Sequence, residues 1–297
     1  MDIKDIIKKA IDFHVHVGPE IIPRKFNLNS LIKAELGNLA GFAIKNHFFP
    51  TVPEDSLDLY KNRKPRVMHS VSLNNYVGGF NPYVIRAVAE IAQTPIVVWF
   101  PTIHAGNFLL KQKHEIADEW IDPKFKKKIG RRTIKGIKAL TVWDSNRRLK
   151  PEVIEVLREI RNQKAILATG HISWRESDKL IRYAIKNIGI KKIIVTHPIY
   201  QRIDMPIRVQ KELAKLGALM EQSFSMHSMD GISIKKIAGR IKEIGARNCI
   251  MTSDVGQTFS PKPSEALGIF AKELFKEGIA LKDLEIMLVK NPLRLLG

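Results

Sequence analysis

Short apolar runs alternate with amphipathic runs from one end of the chain to the other, and this alternation constrains the fold more than any single motif. The apolar runs read as strands: AIDFHVHV (10–17), GFAIKNHF (41–48), RVMHSVSL (66–73), PIVVWFPT (95–102), IKGIKALTV (134–142), KAILATGH (164–171), KKIIVTHP (191–198), GALMEQS (217–223) and NCIMTSD (248–254). Between them, 151–162, 174–187, 206–216, 232–244 and 264–276 repeat their apolar residues at helical spacing. Thr51-x-x-Glu54 and Ser173-x-x-Glu176 fit the capping box, in which each side chain satisfies a free N–H of the first turn. Pro151, Pro206 and Pro263 stand near helix starts, where a missing N–H costs little. Strand–helix alternation predicts a parallel sheet with helices outside it. A chain of 297 residues holds one closed (β/α)8 barrel of about 250 residues plus an insertion. Nine candidate strands for eight places make one of them an extension or hairpin, and leave room for a distorted barrel. The stretch 103–133 follows a strand, carries Gly106 and many charges, and lacks a clean helical period, so it is the expected insertion. Residues 1–297 otherwise read as one domain, without repeats or linkers.

Composition removes several function classes. Hydrophobic residues make up 44% and charged residues 27%, which suits a globular protein with a sizeable core. No run approaches the roughly 18–20 uncharged apolar residues of a membrane span. The stretch MDIKDIIKKAIDF lacks the apolar core and small-residue cleavage site of a signal peptide. Cys249 is the single cysteine, which excludes an internal disulfide and a cysteine-based zinc knuckle. A cytoplasmic location is expected, and a homo-oligomer is compatible with the sequence. The net charge of +19, from 49 Lys+Arg against 30 Asp+Glu, raises the question of a nucleic-acid partner. Much of it is spaced Lys on helical polar faces, as in KKIAGRIKEIG (235–245), which favours a Lys-rich solvated surface. The densest cluster, 124–138, holds eight Lys/Arg in fifteen residues but only Phe125 for base stacking.

The chemistry gathers at strand ends. Residues two apart on a strand point the same way, so His14 and His16 project together. KAILATGH closes on His171, KKIIVTHP on His197 and NCIMTSD on Asp254. In a β/α barrel these ends converge on one mouth, where active sites lie. Four His and one Asp form a ligand set that zinc, manganese, iron or nickel accepts, with zinc preferred. Lys45 ends the second strand with His47 on the same face; a lysine there is desolvated, modified or an anion anchor. His47, His104, Glu221 and Arg202 are candidate contacts to a small-molecule substrate. Glu221 equally suits a contact behind the ligands, and Arg202 an anchor for an anionic group. His69 lies mid-strand and reads as a core residue.

The segments DFHVHVGP, ATGHIS, VTHP and TSD, in this order and spacing, resemble the amidohydrolase superfamily over the whole chain, most strongly over 10–18 and 164–297. The ending LVKNPLRLLG is similar to the tail of many members. KNHFFPT, GGFNP and WFPT look closest to an uncharacterised amidohydrolase-like branch, with the phosphotriesterase-like branch next. The resemblance implies a (β/α)8 barrel with one or two metals at its C-terminal mouth, and His14, His16, His171, His197 and Asp254 match the ligand positions. It further implies a bridging acid, often a carboxylated lysine or a glutamate on the fourth strand. Lys45 is the preferred lysine here and Lys138, in GIKALT, the alternative. The expected activity is hydrolysis of an amide, lactone, ester or phosphoester by metal-activated water, with Asp254 moving the proton. Alternatives on the same barrel are a metal-dependent decarboxylase or lyase, a metal-dependent deoxyribonuclease given the charge, and a non-enzymatic metal scaffold.

Overall fold

Among the described residues nine parallel strands order the chain: β1 (Ile11–His16), β2 (Gly41–Lys45), β3 (Arg66–Met68), β4 (Ser70–Ser72), β5 (Val97–Trp99), β6 (Ile166–Ala168), β7 (Ile193–Val195), β8 (Leu219–Ser223) and β9 (Cys249–Thr252). The computed structural model describes residues 2–52, 65–92, 95–129 and 137–297. β1, β2 and β3 pair in sequence, and β4 to β9 pair in sequence. β3 and β4 are two halves of one stave, separated only by His69, whose carbonyl accepts from the N–H of Val97 at 3.0 Å. The last stave returns to the first: Asp254 N–H donates to the His14 carbonyl and His16 N–H to the Val255 carbonyl, both at 2.8 Å. Eight staves therefore make a closed ring, the expected (β/α)8 barrel.

The ninth expected strand is not a stave. Of 134–142, the described part carries one isolated bridge, Leu140 to Ala105, with Gly106 N–H donating to the Leu140 carbonyl at 2.8 Å. Apolar residues there cover the loop after β5 rather than enter the ring, a distinction periodicity cannot make. The excursion between β5 and its returning helix, Pro151–Asn162, holds the helix Gly106–Gln112, the short helix Lys126–Ile129 and two 3-10 turns.

The helices fall where expected, at Pro151–Asn162, Trp174–Tyr183, Ile207–Lys215, Ile234–Ile244 and Pro263–Lys276. Ser173 and Glu176 form their capping box. Pro151 and Pro263 open their helices, and Pro206 caps one from outside. The second expected box cannot be followed further, since Glu54 lies outside the described residues; the Thr51 hydroxyl accepts from Ser70 N–H at 2.8 Å, tying a loop to β4. Two apolar layers result. Ile11, Phe13, Met68, Val97, Trp99, Ile166, Ile194, Leu219 and Ile250 fill the ring, while a larger layer lies between staves and helices. No helix among the described residues is long and apolar enough to cross a membrane.

Candidate metal centre

β1 carries a fault that sets the site. Ile11 and Phe13 point into the ring, whereas Val15 and Val17 belong to the outer layer. The pairing explains the change of face: Asp12 faces Phe42 and Val15 faces Ile44, so three steps along β1 meet two along β2. Such a bulge re-aims the side chains that follow it, and it turns His14 and His16 into the barrel mouth. Asp12 holds the bulge. Its Oδ1 accepts from the N–H of His14 at 3.1 Å and of Ser253 at 3.0 Å, splicing the β1–β9 seam with a side chain.

Other staves end in left-handed residues. Gly170 has φ +60°, His197 φ +45° and Asp254 φ +51°. A Cβ at Gly170 would lie 2.1 Å from the Phe100 carbonyl oxygen, so only glycine brings the chain into His171 this closely. For His197 and Asp254 the conformation costs roughly 1–3 kcal/mol each, the kind of strain that clusters at functional sites.

Three imidazoles converge on one carboxylate. Nε2 of His14 and of His16 lie 3.0 and 3.1 Å from Asp254 Oδ1, and Nε2 of His197 lies 3.3 Å from Oδ2. The Nδ1 atoms face outward: His14 to Glu221 Oε1 at 2.8 Å, His197 to Glu221 Oε2 and Ser223 Oγ at 3.2 Å, and His16 to Arg24 Nη2 at 3.2 Å. His14 and His197, whose outer nitrogens are fixed by Glu221 and whose inner nitrogens are aimed at a shared point, are arranged as metal ligands are. All these groups are buried. Burial raises the Asp254 carboxyl, but His14 and His197 beside it hold it well below the usual range. Burial likewise opposes ionisation of Glu221, and the same two imidazoles bring it down to about 2. For His16 burial, then the Arg24 guanidinium, push the imidazole well down, so its uncharged form is favoured.

Among the described residues, three sets of close donor atoms stand out: His14, His16 and Asp254; His14, His197 and Glu221; and His16, Glu20 and His47. His171 joins none of them. It lines the same pocket, its ring centroid 5.8 Å from that of His197, and its Nδ1 is buried without a partner.

Lys45 is fully buried. Its Nζ lies 3.0 Å from His14 Nε2 and 4.2 Å over the Trp99 ring. Burial, only partly offset by Asp254, Glu221 and Glu20, lowers its pKa to about 8. Lys138 is exposed, and its carbonyl accepts from the Asn75 side chain in the excursion, away from this cluster. The fourth stave ends instead in Trp99, the apolar floor under His14 at 4.4 Å.

Four residues were expected to contact substrate, and only His47 lines the pocket, its Nδ1 2.9 Å from Thr102 Oγ1. His104 is turned away, its Nε2 paired with Glu115 and its Nδ1 accepting from Asn75 N–H at 2.9 Å. Glu221 lies beneath the histidines. Arg202 is engaged by Glu119 at 2.6 Å and by Tyr200 and Gln112, and it anchors the excursion. Sequence reading missed Asp12, Glu20, Arg24, Trp120, Ser225 and Asp230. The signal for Glu20 and Arg24 was a charged pair four apart just past the paired histidines; Ser225 carried none, yet its Oγ donates to Asp254 Oδ2 at 2.5 Å.

Free space in the pocket, open solvent at its mouth included, is about 380 Å³. Arg24, Lys45 and His47 are among its lining residues, as are Tyr200, after β7, and Met229 and Asp230, after β8.

Similar folds carry known names. An amidohydrolase from Pseudomonas aeruginosa superposes with a TM-score of 0.62 at 10% identity, covering 100% of this chain and 98% of that one. The probable dipeptidase PvdM from the same organism gives 0.61 at 12%, covering 99% and 96%. A putative 2-pyrone-4,6-dicarboxylic acid hydrolase from Pseudomonas putida gives 0.51 at 12%, covering 97% of each chain. No curated protein matches the sequence. These likenesses show a shared fold. The model of a family of unknown function, DUF6282, matches residues 9–221, and the chain belongs to that family.

Proposed function

We propose that the protein is a metal-dependent hydrolase of a small molecule, acting on an amide, lactone, ester or phosphoester. The convergence of the His14, His16 and His197 Nε2 atoms on Asp254, with Glu221 fixing two of the rings from behind, carries this reading. The donor set of imidazoles and a carboxylate suits zinc and its neighbours. The fold relatives named as hydrolases support the same reaction class. His14, His16, His197 and Asp254 would hold the ion, with His171 lining the same pocket. A divalent ion so held supplies Lewis acidity and an activated water near neutral pH.

The residues do the rest. Asp254, ionised and accepting from Ser225, takes the proton lost by the attacking water and returns it to the leaving group. Glu221 keeps the Nδ1–H of His14 and His197 pointing outward, so their Nε2 lone pairs face the site. Trp99 and Trp120 exclude bulk water from the floor and one wall. One ion fits better than two. A second at His16, Glu20 and His47 would compete with Arg24, whose guanidinium lies 2.5 Å from Glu20. The fourth stave offers Trp99 in place of a bridging acid, and among the described residues Lys45 is the lysine near enough to act as a carboxylated bridge. A buried single cysteine fits a cytoplasmic setting.

Metal analysis of the purified protein tests this. About one equivalent of zinc, manganese, iron or nickel is expected, with loss of both metal and hydrolysis of a small ester panel in His14→Ala/His16→Ala. A folded protein that cannot be loaded with any of these ions overturns the proposal.

A further inference from the structure

We infer that Arg24 is a binding site for a carboxylate group of the substrate. The inference rests on the hydrolase reading above and adds the chemical class of what is hydrolysed. The Arg24 side chain is only 1% exposed, and it lies in the pocket wall between His16 and Gln257. One edge of its guanidinium is in use: Nε and Nη2 lie 2.6 and 2.5 Å from Glu20 Oε2. Nη1 is buried with no partner. A buried guanidinium N–H without an acceptor is costly, so a guanidinium held this way against a pocket is waiting for one.

Its remaining contact is conditional. Nη2 also lies 3.2 Å from His16 Nδ1. Arginine has only donors, so that contact requires a bare Nδ1 and places the His16 proton on Nε2. When His16 gives its Nε2 lone pair to an ion, the proton resides on Nδ1 and the contact with Arg24 ends. Arg24 then presents its Nη1 edge and a further Nη2 N–H together.

The position is built rather than incidental. Arg24 and Gln257 form an antiparallel bridge, and Lys25 N–H donates to the Gly256 carbonyl at 2.8 Å, which locks the loop after β1 to the loop after β9. Gly256 permits this approach, since a Cβ there would lie 2.3 Å from the His16 carbonyl oxygen. Glu20 is fixed in turn by His47 N–H, 2.6 Å from its Oε1. The acceptor that suits two coplanar N–H groups is a planar carboxylate. Asp254 lines the same pocket, and its negative charge disfavours a doubly charged phosphate more than a singly charged carboxylate.

Glutarate and its neutral diamide, glutaramide, test the site by quenching of tryptophan fluorescence, since Trp120 lines the pocket, in zinc-loaded and metal-stripped protein. Glutarate should bind at least tenfold more tightly than glutaramide, and the preference should be larger with zinc. Arg24→Met should bring glutarate down to glutaramide's level with glutaramide unchanged. Arg24→Gln, which keeps a donor for Glu20, should do the same if the methionine variant fails to fold. Equal binding of the two probes by the wild type, full glutarate binding by either variant, or inorganic phosphate binding as tightly as glutarate overturns the assignment. Metal content is read separately: a protein that takes no zinc overturns the hydrolase reading, while the glutarate preference of the stripped protein still decides the role of Arg24.

Discussion

Asp12 lies outside the pocket wall, yet it splices the seam that closes the barrel, and its replacement should show how much that splice is worth. Its Oδ1 serves two buried backbone donors, His14 N–H and Ser253 N–H. Asp12→Ala leaves both without this acceptor, at roughly 1–3 kcal/mol each. Part of that is recovered, because the carboxyl is fully buried and its Oδ2 has no partner. The expected net loss is about 2–4 kcal/mol in urea unfolding of the metal-stripped protein. Asp12→Asn keeps an oxygen in place and separates the two effects. Burial raises the Asp12 pKa from 3.8 to about 7. Below 3.8 the group is protonated in both states and costs nothing. Between 3.8 and about 7 the unfolded chain ionises and the folded one does not, so stability falls as pH rises. Above 7 the loss is complete, at most about 4 kcal/mol. Asp12→Asn lacks this term, so its stability relative to the wild type should climb from pH 4.5 to pH 7 and then level off. A wild type and asparagine variant with parallel pH curves would refute the buried-carboxyl argument. An alanine variant no weaker than the asparagine one would refute the splice.

The remaining predictions concern the site and its supports. Glu221→Gln should weaken zinc binding roughly 10–100-fold by releasing the outer nitrogens of His14 and His197, measured by competition with a chelator; unchanged affinity would remove Glu221 from behind the ligands. Asp254→Asn should lose activity more than metal, because an amide still coordinates through oxygen but takes no proton; equal losses would make Asp254 a ligand only. Gly170→Ala should cost at least about 1–2 kcal/mol for its φ of +60° alone, and more for the clash with Phe100, seen as a lower melting temperature. Binding to duplex DNA, titrated against salt, should be weak and steeply salt-dependent, as for a solvated basic surface; tight binding that survives high salt would revive the nuclease alternative.

What the sequence made legible was whatever depends on one strand at a time. Apolar runs, helical spacing and the Ser173 capping box are local, and they placed the staves, the outer helices and the strand-end histidines. The excess strand at 134–142 was misread because covering a loop and joining a ring demand the same apolar residues. His104 and Arg202 were misread for a related reason. Both sit at a mouth in sequence terms, and only the folded excursion brings Glu115 to one and Glu119 and Gln112 to the other. The bulge after Asp12 was the deeper omission. Strict alternation from Ile11 puts Phe13 inside the ring, and with it Val15 rather than His14. That contradiction was present in IDFHVHV itself: two histidines and two inward apolar residues cannot share one parity on a regular strand. Had the ring interior been required to hold Ile11, Phe13, His14 and His16 together, an extra residue between 12 and 15 would have followed, and with it a need for something to hold the unpaired N–H of His14. The aspartate beside them is the side chain that does so. A polar residue in an apolar strand, next to a break in its parity, is therefore itself a sign of where a barrel turns its ligands inward.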